Sequence, residues 1–271
     1  MSAGGSSRPR ALVTGASAGL GRGYARRLAA DSYDLVLVGR DRTRLTGLSH
    51  DLESEFGIRA EAVPADLSTD DGIQAVRSVI ADSRVDVLIN NAGHGLRHGL
   101  LDSAPEEVER LDRVLSGAVR VLSLAAAQEM RRRGRGGILT VSSLAALTTM
   151  GQYAASKAAA LVFTEALADE LRDTPVTVTA VLPGFIRTEF HARLGVERPG
   201  PDWIWLDVGQ VVTTSLADAR RGRTVSIPGR QYRVAACLSH VMPRGLVRWG
   251  SRRFSFERNP ETVRDDFRET S

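Results

Sequence analysis

Tyr153 and Lys157 stand four residues apart, with Ser142 and Ser143 shortly before them. On a helix this spacing puts both side chains on one face, about one turn apart. A phenol is a poor acid near neutrality, with an ordinary pKa of about 10. A neighbouring ammonium favours the ionised form, so Lys157 is expected to lower the pKa of Tyr153. A tyrosine tuned in this way can exchange a proton with an alcohol or a carbonyl. A serine hydroxyl aimed at the same oxygen would hold it and stabilise developing charge. Alone, the spacing also fits an ordinary surface helix, so the elements that position it decide its meaning.

The first such element is a turn. Arg10 to Val13 is a short apolar run that leads into Thr14-Gly15-Ala16-Ser17-Ala18-Gly19-Leu20-Gly21, and a helical pattern follows. Glycines at a strand-to-helix junction allow a tight turn and close backbone approach to a pyrophosphate. The helix start supplies free amides and a positive dipole end. The spacing Thr-Gly-x-x-x-Gly-x-Gly differs from the Gly-x-Gly-x-x-Gly dinucleotide fingerprint, but its place at the first junction favours dinucleotide binding over a purely structural turn. The second strand, Asp34 to Val38, ends at Gly39-Arg40. A carboxylate there would hold the ribose 2′-hydroxyl of NAD. A guanidinium instead can pair with a 2′-phosphate, so NADP(H) is expected in preference to NAD(H).

Apolar strands then alternate with helices: Ala60–Pro64 leading to Asp66-Leu67, Val85–Ile89 ending in Asn90-Asn91-Ala92-Gly93, Gly137–Val141, and Val176–Leu182 ending at Pro183-Gly184. Helices are expected over 43–56, 69–81, 105–131, the Tyr153 segment to about 171, and 207–221, with a last strand near 223–227. This alternation predicts an α/β fold, a parallel sheet covered on both faces. No repeat or low-complexity linker divides it. We expect a flexible tail over 1–8, a single domain over 9–271, a substrate lid at about 185–206 and a C-terminal extension from about 228.

The composition is that of a soluble globular protein, 42% hydrophobic and 25% charged. Cys237 is the only cysteine, so no internal disulfide forms, which fits a reducing cytoplasm. No run reaches the roughly 18 apolar residues of a membrane span, and the start of the chain lacks an apolar signal core. The net charge is +4, and every basic residue except Lys157 is arginine. Arginine bias of this kind is weak grounds for nucleic-acid binding, which is not expected. His94 and His98 have no visible third ligand, so no metal is expected.

Together these pieces resemble the short-chain dehydrogenase/reductase family over nearly the whole chain. The matches are Thr14-Gly15-x-x-x-Gly19-x-Gly21, Asp66-Leu67, Asn90-Asn91-Ala92-Gly93, Ser143, Tyr153-x-x-Ser156-Lys157 and Pro183-Gly184-x-x-x-Thr188. The resemblance implies a doubly wound Rossmann-type sheet in a single domain. It implies that Gly15, Ser17, Ala18, Gly19, Leu20 and Gly21 cradle the cofactor, that Arg40, Asp66 and Leu67 meet its adenosine end, and that Asn91, Ala92 and Gly93 line it. Pro183, Gly184, Ile186 and Thr188 would hold the nicotinamide end. Tyr153 would be the general acid/base, Lys157 would bind the nicotinamide ribose, and Ser143 would orient the substrate carbonyl.

Two departures stand out. Members often carry an asparagine three residues before a glycine in the long helix, and here that position is Val114, before Gly117. Valine cannot join a water-linked proton relay. Ser143 also lies only ten residues before Tyr153, closer than usual, which leaves Ser142 as the alternative. Leu96, Leu100, Leu144, Met150, Phe185, Phe190, Trp203 and Trp205 suggest an apolar pocket for a lipophilic ketone or alcohol. Other chemistry on the same fold, epimerisation or dehydration, and a cofactor-binding regulator without turnover remain as alternatives. The resemblance implies a homodimer or homotetramer through the long helices. Leu246, Val247 and Trp249-Gly250 among arginines fit an amphipathic membrane-surface patch, but a helix packed on the body or on a partner subunit is the favoured reading.

Overall fold

The computed structural model describes residues 8–96, 98–189 and 201–254. Most of the expected tail, the middle of the expected lid with Phe190, and the extension beyond 254 lie outside the described residues.

Among the described residues seven strands form one sheet: β1 (Arg10–Thr14), β2 (Asp34–Gly39), β3 (Ala60–Pro64), β4 (Val87–Asn90), β5 (Gly136–Val141), β6 (Val176–Val181) and β7 (Val225–Ser226). Their order is β3-β2-β1-β4-β5-β6-β7, and every neighbouring pair is parallel. The chain winds outward from β1 to β3, then crosses back to place β4 on the other side of β1. That reversal opens a crevice at the carboxyl ends of β1 and β4, the usual ligand position in open α/β sheets.

Both faces are covered, which is why the strands read as continuous apolar runs. Helices α1 (Gly19–Ala30) and α2 (Arg42–Phe56) pack on one face, together with α7 (Val208–Arg220). Their Tyr24, Leu28, Leu45, Leu52 and Val211 meet Ala11, Val13, Leu35 and Leu37. On the other face lie α3 (Asp70–Asp82), α5 (Ala118–Arg133) and α6 (Gly151–Glu170). From them Val76, Ile80, Leu122 and Leu167 meet Leu12, Val36, Val38 and Leu88. The split of Leu12 from Ala11 and Val13 is the two-residue period of a strand. Helix α2 starts where Asp41 accepts from the Arg44 amide at 3.0 Å, and α3 where Thr69 accepts from the Gly72 amide at 3.1 Å. Two helices close the described chain, α8 (Arg230–Val241) and α9 (Arg244–Phe254).

The structure corrects two expectations. The helix expected over 105–131 is broken into α4 (Pro105–Asp112), a π turn (Arg113–Gly117) and α5. The wider turn sets Asp112 against α6, where its carboxylate accepts from Ser116 Oγ at 2.9 Å and Ser156 Oγ at 2.7 Å. The last strand is two residues long rather than five, because only Val225 and Ser226 pair with β6.

Candidate active site

The site begins at the crevice between β1 and β4. The Thr14 hydroxyl accepts from the amides of Asn91, at 2.9 Å, and Ala92, at 3.0 Å. In return Asn91 Nδ2 donates to the carbonyl of Thr14 at 3.0 Å. These bonds lock the glycine turn to the end of β4. A Cβ on Gly15 would come within 2.9 Å of Ala92 Cα, and Gly15 itself has φ +65°. A Cβ on Gly21 would fall 2.1 Å from the carbonyl oxygen of Gly15. Only glycine fits there. Helix α1 follows Ala18, and no side chain caps its first amides among the described residues. Those amides are free to meet an anion. The side chain of Leu20 is buried in the core, so Leu20 brings only backbone to this turn.

Arg40 stands exposed at the end of β2, beside Asp66 and His94. Burial pushes the Asp66 carboxyl up, but the amide and hydroxyl of Ser68, at 2.9 and 2.8 Å, and the charge of Arg40 hold it below its ordinary value. Burial and then the charge of Arg40 lower the pKa of His94. Asp41, the next carboxylate in the chain, is engaged in capping α2. The side chain of Leu67 packs in the core against α3, so only its backbone faces the crevice region.

Ser143, Tyr153 and Lys157 come together at the end of β5. The hydroxyls of Ser143 and Tyr153 share a hydrogen bond. Ser143 also caps the 3-10 turn Leu144–Leu147, accepting from the Ala145 amide at 3.1 Å. Ser142 is turned away and buried, donating to the Lys157 carbonyl at 2.8 Å. Of the two serines, therefore, Ser143 reaches the tyrosine. Lys157 is 5% exposed, and its Nζ donates to the Val141 carbonyl at 2.6 Å. That Nζ lies 5.8 Å from the centre of the Tyr153 ring.

The expected electrostatics differ. Burial pushes Tyr153 up to about 12, opposed by the Ser143 hydrogen bond. Burial likewise pushes Lys157 down to about 8. Desolvation therefore outweighs the ammonium's pull on the phenol, with Lys157 buried and Tyr153 half-buried. Gly93 lies beside them: a Cβ there would meet Leu115 Cδ2 at 2.8 Å and Lys157 Nζ at 3.8 Å. Val114 is buried in the core on the α3, α5 and α6 side. The polar residues nearest to it in the chain are Arg113, Asp112 and Ser116.

The far wall is the segment after β6. Pro183 accepts from the Leu144 amide at 3.1 Å, joining this segment to the Ser143 turn. Thr188 lies against the glycine turn, since a Cβ on Gly19 would be 3.5 Å from its Cβ and Cγ2. Ile186 is buried in the core and pairs by backbone with Leu206. Phe185 and Trp205 stack at 5.2 Å between ring centres. Leu100 and Trp203 instead stand 50% and 68% exposed, so not all the expected pocket residues gather.

Tyr232, on α8, was invisible to sequence reasoning. Its hydroxyl accepts from the Phe185 amide at 3.0 Å and donates to the Ile204 carbonyl. Its ring closes on Gly184, where a Cβ would come within 2.0 Å of Cζ. A lone aromatic after Pro228-Gly229 carried no motif, and only the Gly184 match hinted at a close neighbour. Among the described residues, no three His, Cys, Asp or Glu side chains are grouped to hold a metal, and no helix is long and apolar enough to cross a membrane. An open cavity of about 470 Å³ lies at the other end of the sheet, lined by Asp86, Arg135 and Arg220, away from these groups.

Known proteins share this fold. A solved short-chain dehydrogenase from Sphingobium yanoikuyae in complex with NADPH superposes with a TM-score of 0.79, at 33% identity over 87% of this chain and 97% of that one. A bulky-bulky ketone specific alcohol dehydrogenase from Comamonas testosteroni superposes with a TM-score of 0.74, at 27% identity over 87% and 95%. The short-chain reductase protein NovJ of Streptomyces niveus is 37% identical over 69% of this chain and 74% of its own length. A sequence model of the short chain dehydrogenase family matches residues 9–198, and with it the chain belongs to the short-chain dehydrogenase/reductase family of oxidoreductases.

Proposed function

We propose that this chain is an NADP(H)-dependent oxidoreductase that interconverts a lipophilic ketone or aldehyde and its alcohol, with Tyr153 as general acid/base. The observation that carries the reading is the hydrogen bond between Ser143 and Tyr153 with Lys157 one turn along the same helix, beside Gly93. The Sphingobium structure holds NADPH, which supports the same cofactor here.

The residues present fit that cofactor. Gly15 and Gly21 pack too closely on Ala92 and on the turn's own backbone for any side chain, which keeps the turn tight, and the uncapped start of α1 offers amides to a pyrophosphate. Arg40 offers a guanidinium to a 2′-phosphate, with Asp41 engaged elsewhere. Asp66, Leu67, Asn91, Ala92, Gly93, Pro183, Gly184, Ile186 and Thr188 would complete the cleft, several of them through backbone alone. When bound, NADPH supplies a hydride. Ser143 then holds the carbonyl oxygen, and Tyr153 gives its proton to that oxygen. A phenol with a raised pKa is a firm proton holder near neutrality, so it is in the right form to act as an acid. Lys157 places positive charge where the phenolate forms and eases the loss of that proton. Its Val141 bond leaves donors for a ribose hydroxyl.

Half-buried Leu96, Leu144 and Met150, with Phe185, support a lipophilic substrate. The Comamonas enzyme, described as specific for bulky-bulky ketones, points the same way. Val121, Leu124 and Val162, 38%, 44% and 63% exposed on α5 and α6, support a homodimer or homotetramer through those helices. Light scattering that returns a monomer would remove that part of the proposal. For the function, NADPH oxidation is followed over a panel of ketones and aldehydes. Tight NADPH binding with no turnover of any carbonyl would overturn the reductase reading.

A further inference from the structure

The last two described helices hold the chain's surplus charge. Residues 1–229 contain 27 basic and 27 acidic side chains, whereas 230–254 contain six arginines and no carboxylate. Arg230, Arg233, Arg244 and Arg248 are all exposed. Set among them are large apolar side chains that also face solvent. On α8, Val234 and Leu238 are 60% and 52% exposed and lie one turn apart. Met242, in the link between the helices, is 42% exposed. On α9, Leu246 and Trp249 are 54% and 63% exposed and three residues apart. The body of the chain therefore covers Ala236 and Ser251 of these helices but not their largest apolar groups.

The helices are nonetheless anchored to the site. Tyr232 ties α8 to Phe185 and Ile204. Ser251 of α9 is 6% exposed; its hydroxyl accepts from the Thr149 amide at 3.2 Å and donates to the Val247 carbonyl at 2.8 Å. Thr149 lies just before α6, the helix that carries Tyr153.

We propose that the face formed by Val234, Leu238, Met242, Leu246 and Trp249, with its four exposed arginines, docks this protein peripherally on an anionic lipid surface. Apolar side chains with a tryptophan, flanked by arginines on short helices, are the composition of a segment that lies in the headgroup plane. An anionic leaflet supplies the counter-charge that 230–254 lacks. A second copy of this segment does not. A twofold contact through this face would set the same arginines against one another with no carboxylate from the segment between them. The anchors place such a membrane beside the start of the Tyr153 helix. The docking does not depend on the reductase reading, since lipid binding is measurable whatever the substrate.

The test is co-sedimentation of the full chain with vesicles of phosphatidylcholine alone and of phosphatidylcholine mixed equally with phosphatidylglycerol. Binding to the mixed vesicles only is expected, weakening as salt rises. Arg244→Gln with Arg248→Gln should lower that affinity on the order of tenfold. Leu246→Ser with Trp249→Ser should lower it as well, with circular dichroism showing an intact fold. Failure to bind mixed vesicles, or binding indifferent to both double variants, would overturn the proposal. So would a fall in solution mass on Leu246→Ser with Trp249→Ser, which would make the face a contact between copies.

Discussion

Lys157 donates to the backbone carbonyl of Val141 at 2.6 Å, from a position closed to water. Burial holds its pKa near 8 rather than 10.5. The unfolded chain therefore binds this proton more tightly than the folded one between those values. Stability should rise as pH climbs from about 8 to about 10.5, and the cost of the buried charge is fully present below 8. Lys157→Met removes that charge and leaves one carbonyl without its donor, a loss of about 1 kcal/mol. At pH 7 its melting temperature should equal or exceed the parent's, while turnover falls about a hundredfold or more. Thermal melts and kcat, measured side by side, check both halves.

Because Lys157 is the only lysine, labelling lysine with carbon-13 at Cε gives a single resonance. That resonance should titrate near pH 8 in the unliganded protein. A midpoint above 10 would show that the ammonium is solvated and that burial does not govern it.

Arg40→Ala should weaken NADPH binding roughly ten- to a hundredfold, the loss of one or two charge-assisted hydrogen bonds. NADH affinity should change little. Fluorescence titration with each cofactor separates the two, and an unchanged preference would defeat the 2′-phosphate assignment.

Much of the fold was legible because its signals are local. Leu12 with Val13 and Val36 with Leu37 face opposite layers, so strands buried on both sides betray themselves as apolar runs. The spacing of Tyr153 and Lys157 is also local, and α6 places both at the end of β5. What the sequence hid is tertiary. The raised pKa of Tyr153 comes from packing around it, which no spacing encodes. The π turn at Arg113–Gly117 leaves the apolar order of Leu111, Leu115 and Leu122 unremarkable, and its mark is the contact of Asp112 with Ser156 across helices. Tyr232 meets Gly184 only after the chain has passed through α7 and β7.

Asp112 receives two serine hydroxyls where α4 meets α6. Asp112→Ala should destabilise the protein by about 1–3 kcal/mol, since the hydroxyls of Ser116 and Ser156 lose a charged acceptor. Chemical denaturation measures this. No change in midpoint would mean that water replaces the carboxylate without loss.

Tyr232→Phe should cost about 1–2 kcal/mol, leaving the Phe185 amide and the Ile204 carbonyl without their partner. It should raise KM for the carbonyl more than it lowers kcat, because it loosens the wall of the site and leaves Tyr153 in place. A pure kcat loss would contradict this positioning role.

The central claim is that Tyr153 supplies the proton. The most direct measurement compares the parent chain with Tyr153→Phe in NADPH oxidation on a carbonyl that the parent reduces, with NADPH affinity determined for both. The account predicts that kcat falls at least about a hundredfold with cofactor affinity nearly unchanged, the loss of one general acid. Turnover by Tyr153→Phe within a few fold of the parent would contradict it.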